Sequence, residues 1–182
     1  MFFKKPFDYE KMLLKYVDED FSLFACGKDA PKQDVLNKFE KRWNVKLPTD
    51  FKKYSISALG GLNIEVKDDI WPRPKQSEVG PFWSFLYGLE VFGFAIDIPE
   101  WMDINIQTDA FTSQTNKDYI PFMKIIGDAD VYCFNKTGII YRWDHELDIF
   151  KKVERSFNEL LEYETAELRS RKDKKKQQTL SL

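Results

Sequence analysis

Three short apolar runs, Ile120 to Ile126, Val131 to Phe134 and Ile139 to Trp143, are separated by two tight polar turns, Gly127-Asp128-Ala129-Asp130 and Asn135-Lys136-Thr137-Gly138. Runs of this length bounded by turn residues are strands, and connections this short join antiparallel neighbours. The section therefore dictates a meander. The rest of the chain has to cover its faces, because an isolated meander leaves both of them wet.

Upstream, the period is helical. Asp8 to Asp18 carries Met12, Leu13, Tyr16 and Val17 on one stripe, and Pro31 to Asn44 carries Val35, Leu36, Phe39 and Trp43 on another, with Pro31 suited to a first turn. Val45-Lys46-Leu47-Pro48 breaks the pattern. Thr49 is placed to cap a third helix through Phe51, Tyr54, Ile56 and Leu59, with Asp50 favouring its positive end and Gly60-Gly61 stopping it in the left-handed conformation. Leu62 to Lys67 then alternates as a half-buried strand. Asp68 to Pro81 reads as a loop, and Phe82 to Ile98 as one or two central strands bent at its glycines. A helix is expected from Pro99 to about Phe111, a polar loop from Thr112 to Asp118, and a long last helix from about Leu147, spaced by Ile149, Phe150, Val153, Phe157, Leu160, Leu161 and Leu168. The fold class is α+β: N-terminal helices, a central, mainly antiparallel sheet of about five or six strands, and a long C-terminal helix. Residues 1–168 are expected to form a single domain, and residues 169–182 a basic, flexible tail that frays the helix.

The 182 residues are 43% hydrophobic and 16% aromatic, which excludes disorder over most of the length. No apolar run reaches the roughly 18 residues of a membrane span, and no secretory signal is read at the N-terminus. Cys26 and Cys133 sit among apolar neighbours and read as buried, reduced thiols, so the expected location is cytoplasmic. A single histidine, His145, excludes multi-histidine metal sites. The net charge is −2, but residues 169–182 hold six basic residues against Asp173, leaving 22 basic and 29 acidic residues in the body. An acidic body repels nucleic acid and suits a basic partner, while the basic tail is the one segment suited to nucleic acid.

Four segments, in order, resemble the SUKH superfamily, the Smi/Knr-type domain. They are Phe39-Glu40-Lys41-Arg42-Trp43-Asn44-Val45-Lys46-Leu47-Pro48-Thr49-Asp50-Phe51, then Leu59-Gly60-Gly61, then Ile126-Gly127-Asp128-Ala129-Asp130-Val131-Tyr132-Cys133-Phe134, and finally Gly138-Ile139-Ile140-Tyr141-Arg142-Trp143-Asp144-His145-Glu146 with Val153-Glu154-Arg155-Ser156-Phe157. The stretch from Asp68 to Asn116 is longer than the pattern leads one to expect. The resemblance implies a non-catalytic α+β binding domain, with two precedents: immunity proteins that neutralise toxin domains, often nucleases, and regulators of cell-wall assembly.

The candidate partner-binding residues are Trp101, Asp103, Asp128, Asp130, Asp144 and Glu146. Trp101 lies between Pro99-Glu100 and Met102-Asp103 and is the tryptophan expected to be partly exposed, as an interface anchor; Trp71 and Trp83 are expected to be more buried. Asp128 and Asp130 serve a tight turn on one reading and an acidic face for a basic toxin on the other. Asp144, His145 and Glu146 are read as ending a strand and capping the helix after it. A Cys133/His145 nucleophile pair and a metal site of Asp128, Asp130, Asp144 and Glu146 are both disfavoured, since Cys133 lies in a core strand and no EF-hand spacing is present. No cofactor and no small-molecule substrate are expected. Immunity protein is the leading reading, a regulatory scaffold of the cell-wall type the second, and a small hydrolase the last.

Overall fold

The computed structural model describes residues 6–25, 30–57, 59–73 and 81–180, with all their side chains except those of Phe82, Trp83, Thr179 and Leu180. Cys26 and residues 74–80 of the expected loop lie outside the described residues. In chain order the elements are α1 (Tyr9–Tyr16), β1 (Phe21–Ala25), α2 (Gln33–Trp43), α3 (Thr49–Ser55), β2 (Leu62–Val66), β3 (Gly88–Val91), α4 (Ile104–Thr115), β4 (Ile120–Ile126), β5 (Val131–Phe134), β6 (Ile140–Asp144), β7 (Ile149–Lys152) and α5 (Phe157–Leu180). Two 3-10 turns, Phe82–Phe85 and Glu100–Met102, precede β3 and α4. The strands lie in the sheet in the order of the chain, β1 to β7, and every neighbouring pair is antiparallel.

The sheet has seven strands among the described residues, not five or six, and the additions are the two outer ones. Ile149 to Lys152 was expected to open the last helix because Ile149, Phe150, Val153 and Phe157 share a helical spacing. Instead Asp148 takes a left-handed conformation (φ 49°), and the chain turns back to pair Trp143 with Phe150 and Arg142 with Lys151. The pairing satisfies the outward backbone groups of β6, which a helix there would have left open. Asp144, His145 and Glu146 therefore form a hairpin turn and cap no helix. The cap of α5 is a capping box further on: the Glu159 carboxylate accepts from the Ser156 amide at 2.9 Å, and the Glu159 amide donates back to the Ser156 hydroxyl.

Other boundaries shift for similar reasons. Thr49 is the first residue of α3, with Pro48 at the cap position and no side-chain cap bond. Asp50 accepts from the Phe51 amide and also from the Asn158 amide, so one carboxylate serves the first turns of both α3 and α5. α3 ends at Ser55, short of Gly60-Gly61. Gly60 answers a packing demand: a Cβ there would lie 2.5 Å from the Ser55 carbonyl oxygen, and a Cβ on the facing Gly93 would lie 1.8 Å from the Gly60 carbonyl oxygen. The single helix expected from Pro99 splits into the 3-10 turn and α4, which Asp103 caps and which runs on to Thr115.

Phe51 is fully buried, and its ring centroid lies 4.9 Å from Phe134, 5.0 Å from Phe157 and 5.8 Å from Phe122. With Leu62, Ile64, Leu89, Val91, Leu160 and Leu161 they form the core between one sheet face and helices α1, α3 and α5. On the other face α4 covers β4 to β7, closing Phe111 over Cys133 and Trp143.

The basic segment from Arg169 does not fray. It continues α5, and Lys172 is 1% exposed. Its Nζ stands 2.8 Å from Asp173, 2.9 Å from Asp18 and 3.0 Å from Asp20, while Lys176 reaches Asp20 at 2.8 Å and Arg169 reaches Asp18 at 2.8 Å. A run of like charges reads as solvated, but the turn between α1 and β1 supplies the carboxylates that dock it. Burial works against the Lys172 charge, yet the hydrogen bonds it donates to Asp173, Asp18 and Asp20 outweigh it and raise its pKa. Bonds from Lys176 and Lys172 hold the Asp20 carboxyl below its ordinary value of 3.8. A depressed carboxylate contributes stability that is present above its unfolded pKa and lost as pH falls through the folded one. Lys172→Ala should therefore lower stability at pH 7 by about 3 kcal/mol, as loss of one partner from a buried ion pair does. In thermal melts its gap to the parent chain should narrow below pH 3.8; an equal gap at every pH would refute the assignment.

Candidate protein-binding surface

The six sequence-derived candidates fall at opposite ends of the sheet. Asp128, Asp130, Asp144 and Glu146 occupy the turns that follow β4 and β6. Trp101 and Asp103 stand at the other end, where β3 hands over to α4. The length of β4, roughly 20 Å, separates the two groups.

At the first end most of the charge is spent. Asp128 accepts from the Asp130 amide, as the turn reading expected, and its Oδ2 lies 2.7 Å from Arg142 Nη2. Asp130 meets Arg142 Nε at 3.1 Å and His145 Nδ1 at 3.2 Å. Asp144 accepts from the Leu147 amide and pairs with Lys151 at 2.8 Å; the bond from Lys151 is the main reason its pKa is lowered. Glu146 is exposed, and its carboxylate forms no ion pair among the described residues. Cys133 is buried beneath Phe111 and Trp143, where burial pushes its thiol pKa well up, whereas His145 is exposed at the turn. A protonated thiol under an aromatic lid is no nucleophile. Among the described residues no group of three His, Cys, Asp or Glu side chains is placed to hold a metal ion.

At the second end Asp103 acts as a helix cap, accepting from the Asn105 amide at 2.8 Å. Its own main chain bridges to Gly93, flanked by bonds from the Gly93 amide to Met102 and from the Ile104 amide to Gly93. This clamp holds the connection before α4, from which Ile96 (77% exposed) and Trp101 (45%) project. Trp101 touches Phe24 of β1, ring centroid to ring centroid 6.5 Å. Trp71, by contrast, is core, with its indole N–H donating to the Ser84 carbonyl. The side chain of Trp83 lies outside the described set.

One cross-sheet row connects these parts. Phe24, Asn63, Glu90, Lys124, Val131, Trp143 and Phe150 are successive register partners from β1 to β7 and share the α4 face. α4 covers the last three. The middle is polar: Asn63 and Glu90 are buried, and Lys124 Nζ lies 2.9 Å from Glu90 Oε2. A cleft of about 230 Å³ opens between α4 and the sheet, lined by Gln107, Phe111, Gln114, Lys124, Trp143 and His145 among others. The sequence reading missed Phe24, Asn63, Glu90 and Lys124. The available signal was the isolation of Glu90 and Lys124, each a lone charge inside an apolar run.

Burial raises the Glu90 carboxyl above its ordinary value of 4.5, with the Lys124 bond opposing. A raised carboxyl binds its proton more tightly in the folded chain, so stability falls as pH rises from the unfolded value through the folded one. Glu90→Gln should therefore raise the melting temperature at pH 7 and give no gain below pH 4.5. A lower melting temperature at pH 7 would show that the charged Glu90–Lys124 pair is a net stabiliser.

A continuous antiparallel sheet, packed by helices on one face and by α4 over part of the other, defines the class as an α+β domain. A family model described as the SMI1 / KNR4 family (SUKH-1) matches residues 30–163, and the chain belongs to that family. Domains of the family are generally non-catalytic, and the family supports an immunity or cell-wall-related role exercised through protein–protein contact. Comparison with individual curated proteins finds no match. The matched span leaves out α1, β1 and the part of α5 beyond Tyr163. No helix among the described residues is long and apolar enough to cross a membrane.

Proposed function

We propose that this chain is a stoichiometric, non-catalytic binding protein of the immunity type. It acts in the cytoplasm by covering the active surface of a basic toxin domain such as a nuclease. The observation that carries the reading is Trp101, which stays 45% exposed beside Phe24 in a stretch with no counter-charge of its own. From Phe92 to Asn116 the chain holds Asp97, Glu100, Asp103 and Asp109 and no Lys or Arg; Arg42 meets Asp109 at 2.8 Å, while Asp97 and Glu100 are exposed and have no ion-pair partner among the described residues. An amphipathic ring set in negative potential is the usual makeup of an anchor for a cationic partner. Nuclease domains carry positive surfaces to hold phosphates, which an acidic protein can occupy. At the far end of the sheet Asp128 and Asp130 are paired with Arg142 and Asp144 with Lys151, so of that group Glu146 is the carboxylate left to meet a cationic partner.

The test pairs the purified chain with the product of a toxin gene adjacent to its own. Calorimetry should show one-to-one binding that abolishes toxicity. Trp101→Ala should weaken it about thirtyfold, the effect of losing a 2 kcal/mol hot spot, and leave the melting temperature within about 2 °C, as a surface change does. Unfolding of the variant would return Trp101 to the core. Weak binding to several wall-assembly proteins, with no toxin neutralised, would replace immunity by scaffolding.

A further inference from the structure

We propose that β1 accepts an added strand from the partner along its free edge, and that the incoming strand is basic. The proposal rests on the protein-binding reading above and specifies its mode. β1 pairs with β2 over all five of its residues and is an outer strand. The Lys67 amide donates to the Asp20 carbonyl, while the Val66 amide points the other way, to Tyr87 of the β3 side. In an antiparallel ladder these directions alternate by residue. Ser22 and Phe24 therefore turn their backbone groups toward Glu65 and Asn63, and Leu23 and Ala25 turn theirs outward. Among the described residues no hydrogen bond occupies the outward groups of Leu23 and Ala25.

The edge is also unguarded. Outer strands are normally protected from pairing by lysines, prolines or bulges. The other outer strand, β7, follows that rule with Lys151 and Lys152. Phe21-Ser22-Leu23-Phe24-Ala25 has no charge, no proline and no bulge, and it leaves Leu23 (43%) and Phe24 (46%) exposed on opposite faces. Main-chain bonds along such an edge give affinity, and pockets or rings beside it give selectivity. Trp101 stands next to Phe24, flanked in the chain by Asp97 and Glu100. Both carboxylates are exposed and neither has an ion-pair partner among the described residues. That charge selects a strand carrying Lys or Arg at alternate positions over an acidic one. β1 lies outside the span matched by the family model, so this edge is a feature of this chain's own N-terminal part.

The probe is a peptide of alternating lysine and valine matched in length to β1, with an alternating glutamate and valine peptide as control, added to the full chain. Amide hydrogen exchange is read residue by residue by NMR. The lysine peptide should slow exchange at Leu23 and Ala25 at least about tenfold, the effect of one new backbone bond near 1.4 kcal/mol. Ser22 and Phe24, already bonded to β2, should not change. Leu23→Pro removes an outward donor without touching the ladder and should weaken peptide binding about tenfold. Leu23→Lys, which guards the edge by charge, should do the same and serves if the proline variant does not fold. Protection of Ser22 and Phe24 instead, equal binding of the glutamate peptide, or unimpaired binding by the folded Leu23 variants would each overturn the proposal. Protection of Leu23 that grows with protein concentration alone would overturn it in favour of a second copy of the chain. Toxin neutralisation retained by Leu23→Pro would remove strand addition and leave the immunity reading intact, whereas loss of neutralisation in both Leu23→Pro and Trp101→Ala supports the two together.

Discussion

Phe51 makes ring contacts with Tyr54, Phe94, Phe122, Phe134 and Phe157. Those rings come from α3, the β3–α4 connection, β4, β5 and α5, so one side chain ties together elements spread over more than half the chain. Replacing such a residue by alanine costs about 3–5 kcal/mol, against a typical total of about 5–15 kcal/mol for a domain. The antiparallel order of β4 to β7 follows from short turns, but the way helices lie on the sheet follows from this cluster. Asp50, next in the chain, adds direction by accepting from the amides of Phe51 and Asn158, which sets the start of α5 beside the start of α3.

The two faces of the sheet divide the work. One is filled by the aromatic cluster and by α5. The other is covered by α4 over β4 to β7 and carries beside it the polar row of Asn63, Glu90 and Lys124, of which Asn63 and Glu90 are buried. Burying Glu90 costs solvation that Lys124 repays in part. A stability-optimised sheet would carry apolar residues at these positions.

The parts of the fold that were legible in the chain are those whose neighbours are local. β4 and β5 are bounded by Gly127 and Asn135 and stand where the alternation and turn residues put them. β7 was hidden because Ile149, Phe150, Val153 and Phe157 fit a helical stripe equally well, and only the tertiary partner Trp143 decides between the two. The docking of α5 was hidden for the same reason: six basic residues look solvated until Asp18 and Asp20, about 150 positions away, are brought beside Lys172. In the candidate site Trp101 was legible from its polar, proline-marked surroundings. Phe24 was not, since its exposure depends on β1 being an outer strand. The hairpin acids were legible as turn formers, but their pairing with Arg142 depends on the register of β5 with β6.

The clamp between Gly93 and Asp103 has a consequence for divergence. Main-chain bonds fix both ends of the connection, and Asp103 starts α4 whatever stands between them. Ala95 is buried, but Ile96, Asp97, Glu100 and Trp101 are exposed and can be rewritten with little penalty to the core, so this surface can change while the scaffold stays put. Relatives that bind different partners should differ most in this short stretch, and a graft of it should carry preference from one scaffold to another.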